Sequence, residues 1–180
     1  KRMLAYSSIA HAGFALLGLV AGGEEGIASV MLYLLIYTFM NLGMFALVVM
    51  MREKDFSGEQ IEDYSGLSKQ HPLLALLALL FLFALAGVPP TAGFIAKFYI
   101  FVALLDQGYV VLAVLAVLFS VIAAFFYLRI VMLIYMREPM RQRQVFQPFA
   151  IRVALCITGV VTLGIGLFPG WFFALAQGAF

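Results

Sequence analysis

Two cations stand inside long apolar runs of this 180-residue chain, Lys97 and Arg129. Lys97 belongs to LAGVPPTAGFIAKFY (residues 85–99), where two prolines and two glycines precede it. A primary amine held away from water can exchange a proton, because burial makes its charged form costly. Arg129 lies about two helical turns from the end of its run, near Tyr127 and Tyr135. Its long side chain can reach ~10 Å back to a polar interface, so an anchoring role and a functional charge are both open.

Uncharged polar residues accompany these cations. Ser7 and His11 are four residues apart, and Ser8 adjoins them, so Ser7 and His11 share one helical face. A histidine in such a setting relays protons or simply hydrogen-bonds to a neighbour. Tyr33, Tyr37 and Asn41 form an i, i+4, i+8 stripe, and Ser120 and Tyr127 share another face. Such stripes commonly hold helices together, yet a water-lined path also needs them. The candidate proton path or polar axis is Ser7, His11, Tyr37, Asn41 and Ser120 around Lys97, with Lys1 and Arg129 as candidate charges at one end.

The surroundings of these residues must be lipid. Hydrophobic residues make up 65% of the chain and charged ones only 11%, more apolar surface than a soluble domain of this size can hide. Five runs reach the ~20 residues needed to cross a bilayer. They lie at about 3–22, 26–51, 72–105, 108–136 and 149–168. Period-two alternation is missing, which disfavours a β-barrel. An all-α, polytopic membrane bundle is expected, one membrane domain over 1–180 with a loop at 52–71. The chain opens at Lys1-Arg2 without an initiator Met and is expected to be a fragment of something longer, or a chain whose front part is not covered.

Orientation follows from charge. With five antiparallel spans, Lys1, Arg2, Arg52, Lys54, Lys69, Arg137, Arg141, Arg143 and Arg152 fall on one side. Glu24, Glu25 and Asp106 fall on the other, with no Lys or Arg. The cation excess places the start and the longer loops in the cytoplasm and the C-terminus outside. The loop REKDFSGEQIEDYSGLSKQH balances its acids and bases and reads as a solvated connector resting on a neighbour.

The third span explains the setting of Lys97. Its 34 residues would make one helix of about 51 Å, against a ~30 Å hydrocarbon core. A break at Gly87, Pro89, Pro90 and Gly93 resolves the surplus, since neither proline donates a backbone hydrogen bond and the glycines tolerate rearrangement. Half-helices at about 72–87 and 94–105 result. Lys97 then falls in the first turn of the second half, where the helix dipole opposes its charge. It is roughly nine residues, or ~13 Å, from Asp106, close to the midplane. Irregular backbone at that depth must be buried in protein or line a wet cavity. No acid lies inside any span, so a permanent carboxylate partner would come from elsewhere.

Several chemistries are disfavoured. Cys156 is the single cysteine, so neither a disulfide framework nor a metal-ligand spacing is present. There is no glycine-rich phosphate loop, no Cys cluster for iron–sulfur and no paired His for haem. The formal charge of +2 does not suggest nucleic acid.

Three stretches, KRMLAYSSIAHAGF, DYSGLSKQHPLLA and above all FALAGVPPTAGFIAKFYIF, resemble the antiporter-like membrane subunits of respiratory complex I. The resemblance runs through the whole chain, and within the family it is nearest the N-type subunits of bacterial NADH–quinone oxidoreductase. It implies the last five helices of a fourteen-helix fold with two inverted repeats, each containing a broken helix. Lys97 matches the lysine of the second broken helix, on the half-channel leading outward. M-type subunits carry Glu there, and L-type subunits carry His and Lys where this chain has Tyr33, Tyr37 and Asn41, so both fit less well.

The resemblance implies a proton-translocating subunit that works inside a bacterial inner-membrane complex, beside other membrane subunits and lipid. NADH, FMN, iron–sulfur clusters and quinone would be handled by other subunits, with no cofactor or metal on this chain. Two rivals stand beside it: a subunit of a multisubunit Na⁺/H⁺ antiporter, which shares the fold, and a structural membrane spacer that conducts nothing.

Overall fold

The computed structural model describes residues 1–51, 60–139, 148–170 and 172. Seven α-helices and one short 3-10 turn account for the regular structure among them. The helices are α1 (Arg2–Ala21), α2 (Gly23–Met50), α3 (Leu67–Gln70), α4 (Pro72–Ala86), α5 (Ala92–Asp106), α6 (Val110–Met136) and α7 (Phe149–Leu167). Four of them, α1, α2, α6 and α7, are long and apolar enough to cross a membrane. The remaining span is divided between α4 and α5.

Length and side-chain chemistry account for this arrangement. Leu and Ala, both good helix formers, are the commonest residues of the helices, and within lipid every backbone N–H and C=O must be satisfied inside its own segment. Gly22 and the Gln107–Tyr109 turn leave no room for anything but antiparallel neighbours. At the start of α4, Pro72 takes the first helical position, where its missing N–H costs nothing.

Helix α2 occupies the centre, packed on α1, α4, α5 and α7, while α6 lies against α4. The side chains of Tyr33, Ile36, Met40, Leu47, Phe81, Leu82, Leu85, Ile100, Leu104 and Ile134 are wholly buried. The outer faces carry Val111, Leu118, Phe119, Val121, Ile122 and Phe125, all exposed. Large apolar side chains on that surface suit acyl chains as solvent.

The break is compact. Gly87 closes α4 in the left-handed region at φ +82°, and its N–H returns to the carbonyls of Phe83 and Ala84. Thr91 is extended and heads α5, accepting the N–H groups of Phe94 and Ile95 on its carbonyl. The Pro89–Pro90 peptide is cis. Helix α5 thus begins at Ala92, earlier than the prolines alone suggest, and Lys97 lies in its second turn rather than its first. Gly93 is helical, not part of the irregular backbone. Its role is contact, because a Cβ there would stand 1.7 Å from the Ala84 carbonyl oxygen.

At the basic end, residues 60–71 pack against the end of α6. Gln60 and Asp63 form a capping box over the 3-10 turn Ile61–Tyr64. The Gly66 N–H donates to the Leu133 carbonyl at 3.0 Å, and Ser68 Oγ donates to the Ile134 carbonyl at 2.9 Å. Tyr64 and Leu67 are buried there, so apolar contact with the end of α6 outweighs the polar composition. The Lys69–Glu138 ion pair, 2.5 Å apart, is exposed and adds little. Arg52, Lys54, Arg141 and Arg143 lie outside the described residues, as does the first half of the 52–71 loop.

Candidate functional site

Helix α4 ends at Ala86, which leaves its last carbonyls without intrahelical donors. Lys97 supplies donors to two of them across the break. Its Nζ donates to the Ala86 carbonyl at 3.0 Å and to the Leu85 carbonyl at 3.3 Å. A third bond, 2.9 Å, goes to Ser120 Oγ on α6. All three donor positions of the ammonium are engaged, and the side chain is only 4% exposed.

The electrostatics differ from the sequence-based expectation. The dipole of α5 opposes the charge, yet the ammonium does not rest against its own helix start. It reaches back to the C-terminal, negative end of α4. A buried ammonium without partners costs several kcal/mol, and these oriented carbonyls offset part of that cost without a carboxylate. Gly87 is what permits the approach: a Cβ there would meet Lys97 Cδ at 3.1 Å and Nζ at 3.2 Å.

A second polar group lies toward the basic end. His11 Nδ1 and the Tyr33 hydroxyl are 2.7 Å apart, and the Tyr127 hydroxyl stands 3.4 Å from His11 Nε2. Tyr127 is also hydrogen-bonded to Ser7. Neutral imidazole has one donor and one acceptor nitrogen, so Ser7, Tyr127, His11 and Tyr33 form a chain along which proton positions can reverse. Its Ser7–Tyr127 end borders a groove of about 950 Å³ between α1 and α6, lined also by Tyr6, Ile61 and Arg129.

The candidate residues therefore divide. Ser120 joins Lys97, whereas Ser7 and His11 belong to the second chain. Tyr37 stacks on His11 with ring centroids 4.7 Å apart. Asn41, half-buried one turn further along α2, lies outside both groups. Ser120 and Tyr127 share a helix face but serve different partners. Arg129 is exposed beside the groove, and Lys1 lies at the same end near Gln60, Ile61 and Tyr64.

Sequence reasoning missed two participants. The carbonyls of Leu85 and Ala86 could have been found from the break, which must orphan them. Phe14 follows Ser7 and His11 at helical spacing on α1, and its ring lies 5.0 Å from Lys97 Nζ.

The chain is similar to known proteins over most of its length. Residues 1–123 match the family model described as NADH:quinone oxidoreductase/Mrp antiporter, TM. NADH-quinone oxidoreductase subunit N 2 of Rhizobium meliloti is 66% identical over 177 residues, covering 98% of this chain and 37% of that protein. The chain thus spans well under half the length of this relative. Among solved structures, respiratory complex I from Thermus thermophilus with bound aureothin contains a chain that superposes with a TM-score of 0.83. That chain is 32% identical, and the match covers 97% of this chain and 39% of that one. The Mrp complex from Dietzia sp. DQ12-45-1b has the same fold, with a TM-score of 0.80 at 24% identity, over 97% of this chain and 41% of that one. With a broken-helix lysine at its centre and a family model matched over most of its length, the chain belongs to the NADH:quinone oxidoreductase/Mrp antiporter transmembrane family.

Proposed function

We propose that this chain is part of a proton-translocating membrane subunit of an NADH–quinone oxidoreductase, and that Lys97 is its proton-carrying residue. The observation that carries the reading is the clasp at the break. Among the described residues, a buried ammonium is hydrogen-bonded only to neutral dipoles, those of Leu85, Ala86 and Ser120. With no fixed counter-ion among the described residues, its charge state responds to charges arriving nearby.

The driving force is Coulombic. Like charges ~8 Å apart at an effective dielectric of 20 repel by about 2 kcal/mol. That exceeds the 1.4 kcal/mol equivalent to a tenfold change in a proton equilibrium. Electron transfer to quinone in other subunits supplies the charge movement, with NADH, FMN and iron–sulfur clusters bound there. Lys97 accepts a proton when the neighbouring charge is absent and releases it outward when that charge appears. The start of the chain and its basic end face the cytoplasm of a bacterium, and the acidic end faces outward, in keeping with the cation bias.

The names of the relatives favour this over a sodium–proton antiporter subunit, which the fold also accommodates. The two are separated by flux measurements on membranes containing the full assembly. NADH-driven proton movement that needs no sodium supports the respiratory reading. Sodium-dependent proton flux without NADH contradicts it.

A further inference from the structure

Two polar groups make up the site, and among the described residues no hydrogen bond joins them. Ser7, Tyr127, His11 and Tyr33 form one, toward the basic end. Lys97, Ser120 and the carbonyls of Leu85 and Ala86 form the other. Phe14 on α1 adjoins both.

Phe14 is 6% exposed and lies close to both groups. Its ring centroid is 6.4 Å from that of His11 and 6.2 Å from that of Tyr33. Lys97 Nζ stands over the same ring, 5.0 Å from its centroid. Phe101 packs edge-on against the same ring at 6.1 Å, closing that flank with another apolar group. A proton moves along a line of donors and acceptors, and a benzene ring offers neither an O–H nor a lone pair.

We propose that Phe14 is the proton barrier of this subunit: its ring interrupts the polar column between His11 and Lys97, and protons cross only when the ring moves and water bridges the two groups. The proposal rests on reading Lys97 as the proton carrier. Its geometry also gives the barrier a sense of direction. A charged Lys97 attracts the ring face and so holds the barrier shut behind the proton it has just received. A neutral amine lacks that attraction, and the ring is free to swing. Reloading then transfers one proton: water bonded to His11 hands it to the amine, and the His11–Tyr127–Ser7 chain restores it from the basic end.

The test uses the whole complex in proteoliposomes, with F14A and the bulkier F14L. Two quantities are read: decay of an imposed pH gradient without NADH, and protons pumped per NADH oxidised. F14A is expected to speed the decay several-fold and lower the pumping ratio, with F14L intermediate. Adding K97A to either variant returns the decay to the wild-type rate, a result that loosened packing alone would not give. If F14A fails to assemble, F14L carries the test by the same Lys97-dependent leak. The proposal is overturned if both variants hold gradients and pump like wild type, or if the leak persists without Lys97. Failure of the functional reading is a different result, normal pumping in K97A alone.

Discussion

Lys97 Nζ donates to the carbonyl of Ala86 at 3.0 Å, so a side chain on α5 completes the hydrogen bonding of the last turn of α4. Break and charge are therefore one feature. The prolines free the carbonyls, and the ammonium takes them up. Gly87 lies between the two with no side chain to intervene.

G87A tests that relationship. The new methyl would meet Lys97 Cδ and Nζ at 3.1 and 3.2 Å, at a φ of +82°. Backbone strain of this kind costs about 1–3 kcal/mol. The purified complex should melt at a lower temperature and pump fewer protons per NADH. Wild-type values in both measurements would mean that the clasp is dispensable.

A methyl at Gly93 has a cruder effect. At 1.7 Å from the Ala84 oxygen it cannot be accommodated unless α4 and α5 separate. G93A should leave little of the subunit in the assembled complex on native gels, and G93V none. Normal assembly of G93A would show that the half-helices are further apart than described.

Among the described residues, Ser120 is the one side chain hydrogen-bonded to the Lys97 ammonium. Hydrogen bonds to charged groups contribute about 1.5–3 kcal/mol, equivalent to a shift of roughly ten- to a hundredfold in a proton equilibrium. S120A should therefore lower proton pumping in complexes that still reduce quinone, and S120T should restore most of it. A ratio of protons to electrons unchanged in S120A would count against the contact.

Y127F removes the hydroxyl that links Ser7 to His11 while keeping the ring. Delivery to Lys97 should slow, so pumping is expected to fall behind electron transfer as NADH turnover rises. Initial rates across a range of NADH concentrations would reveal the divergence. Parallel curves for Y127F and wild type would exclude Tyr127 from the path.

The bundle and the broken span were legible in the sequence because lipid imposes simple rules of length and polarity. A 34-residue apolar run with Pro89-Pro90 inside it leaves few alternatives, and Lys97 stood out as a cation far from either interface. The partners of Lys97 were harder to foresee. Its clasp uses backbone carbonyls, which carry no signature in a residue list, and the direction of its side chain is set by how α4 and α5 meet. The expectation that it would face an opposing dipole considered only α5. Phe14 escaped notice for another reason: among 18 phenylalanines, only three-dimensional placement distinguishes one that adjoins both polar groups. The buried Tyr64 and Leu67 were likewise hidden in a loop whose average composition is polar.

The central claim is that Lys97 carries the proton, and K97A in the intact complex tests it most directly. Protons translocated per NADH oxidised should fall in K97A proteoliposomes, while the assembled complex still passes electrons to quinone. A proton-to-NADH ratio equal to that of wild type, in a fully assembled complex, would contradict the account and leave this chain as a membrane spacer.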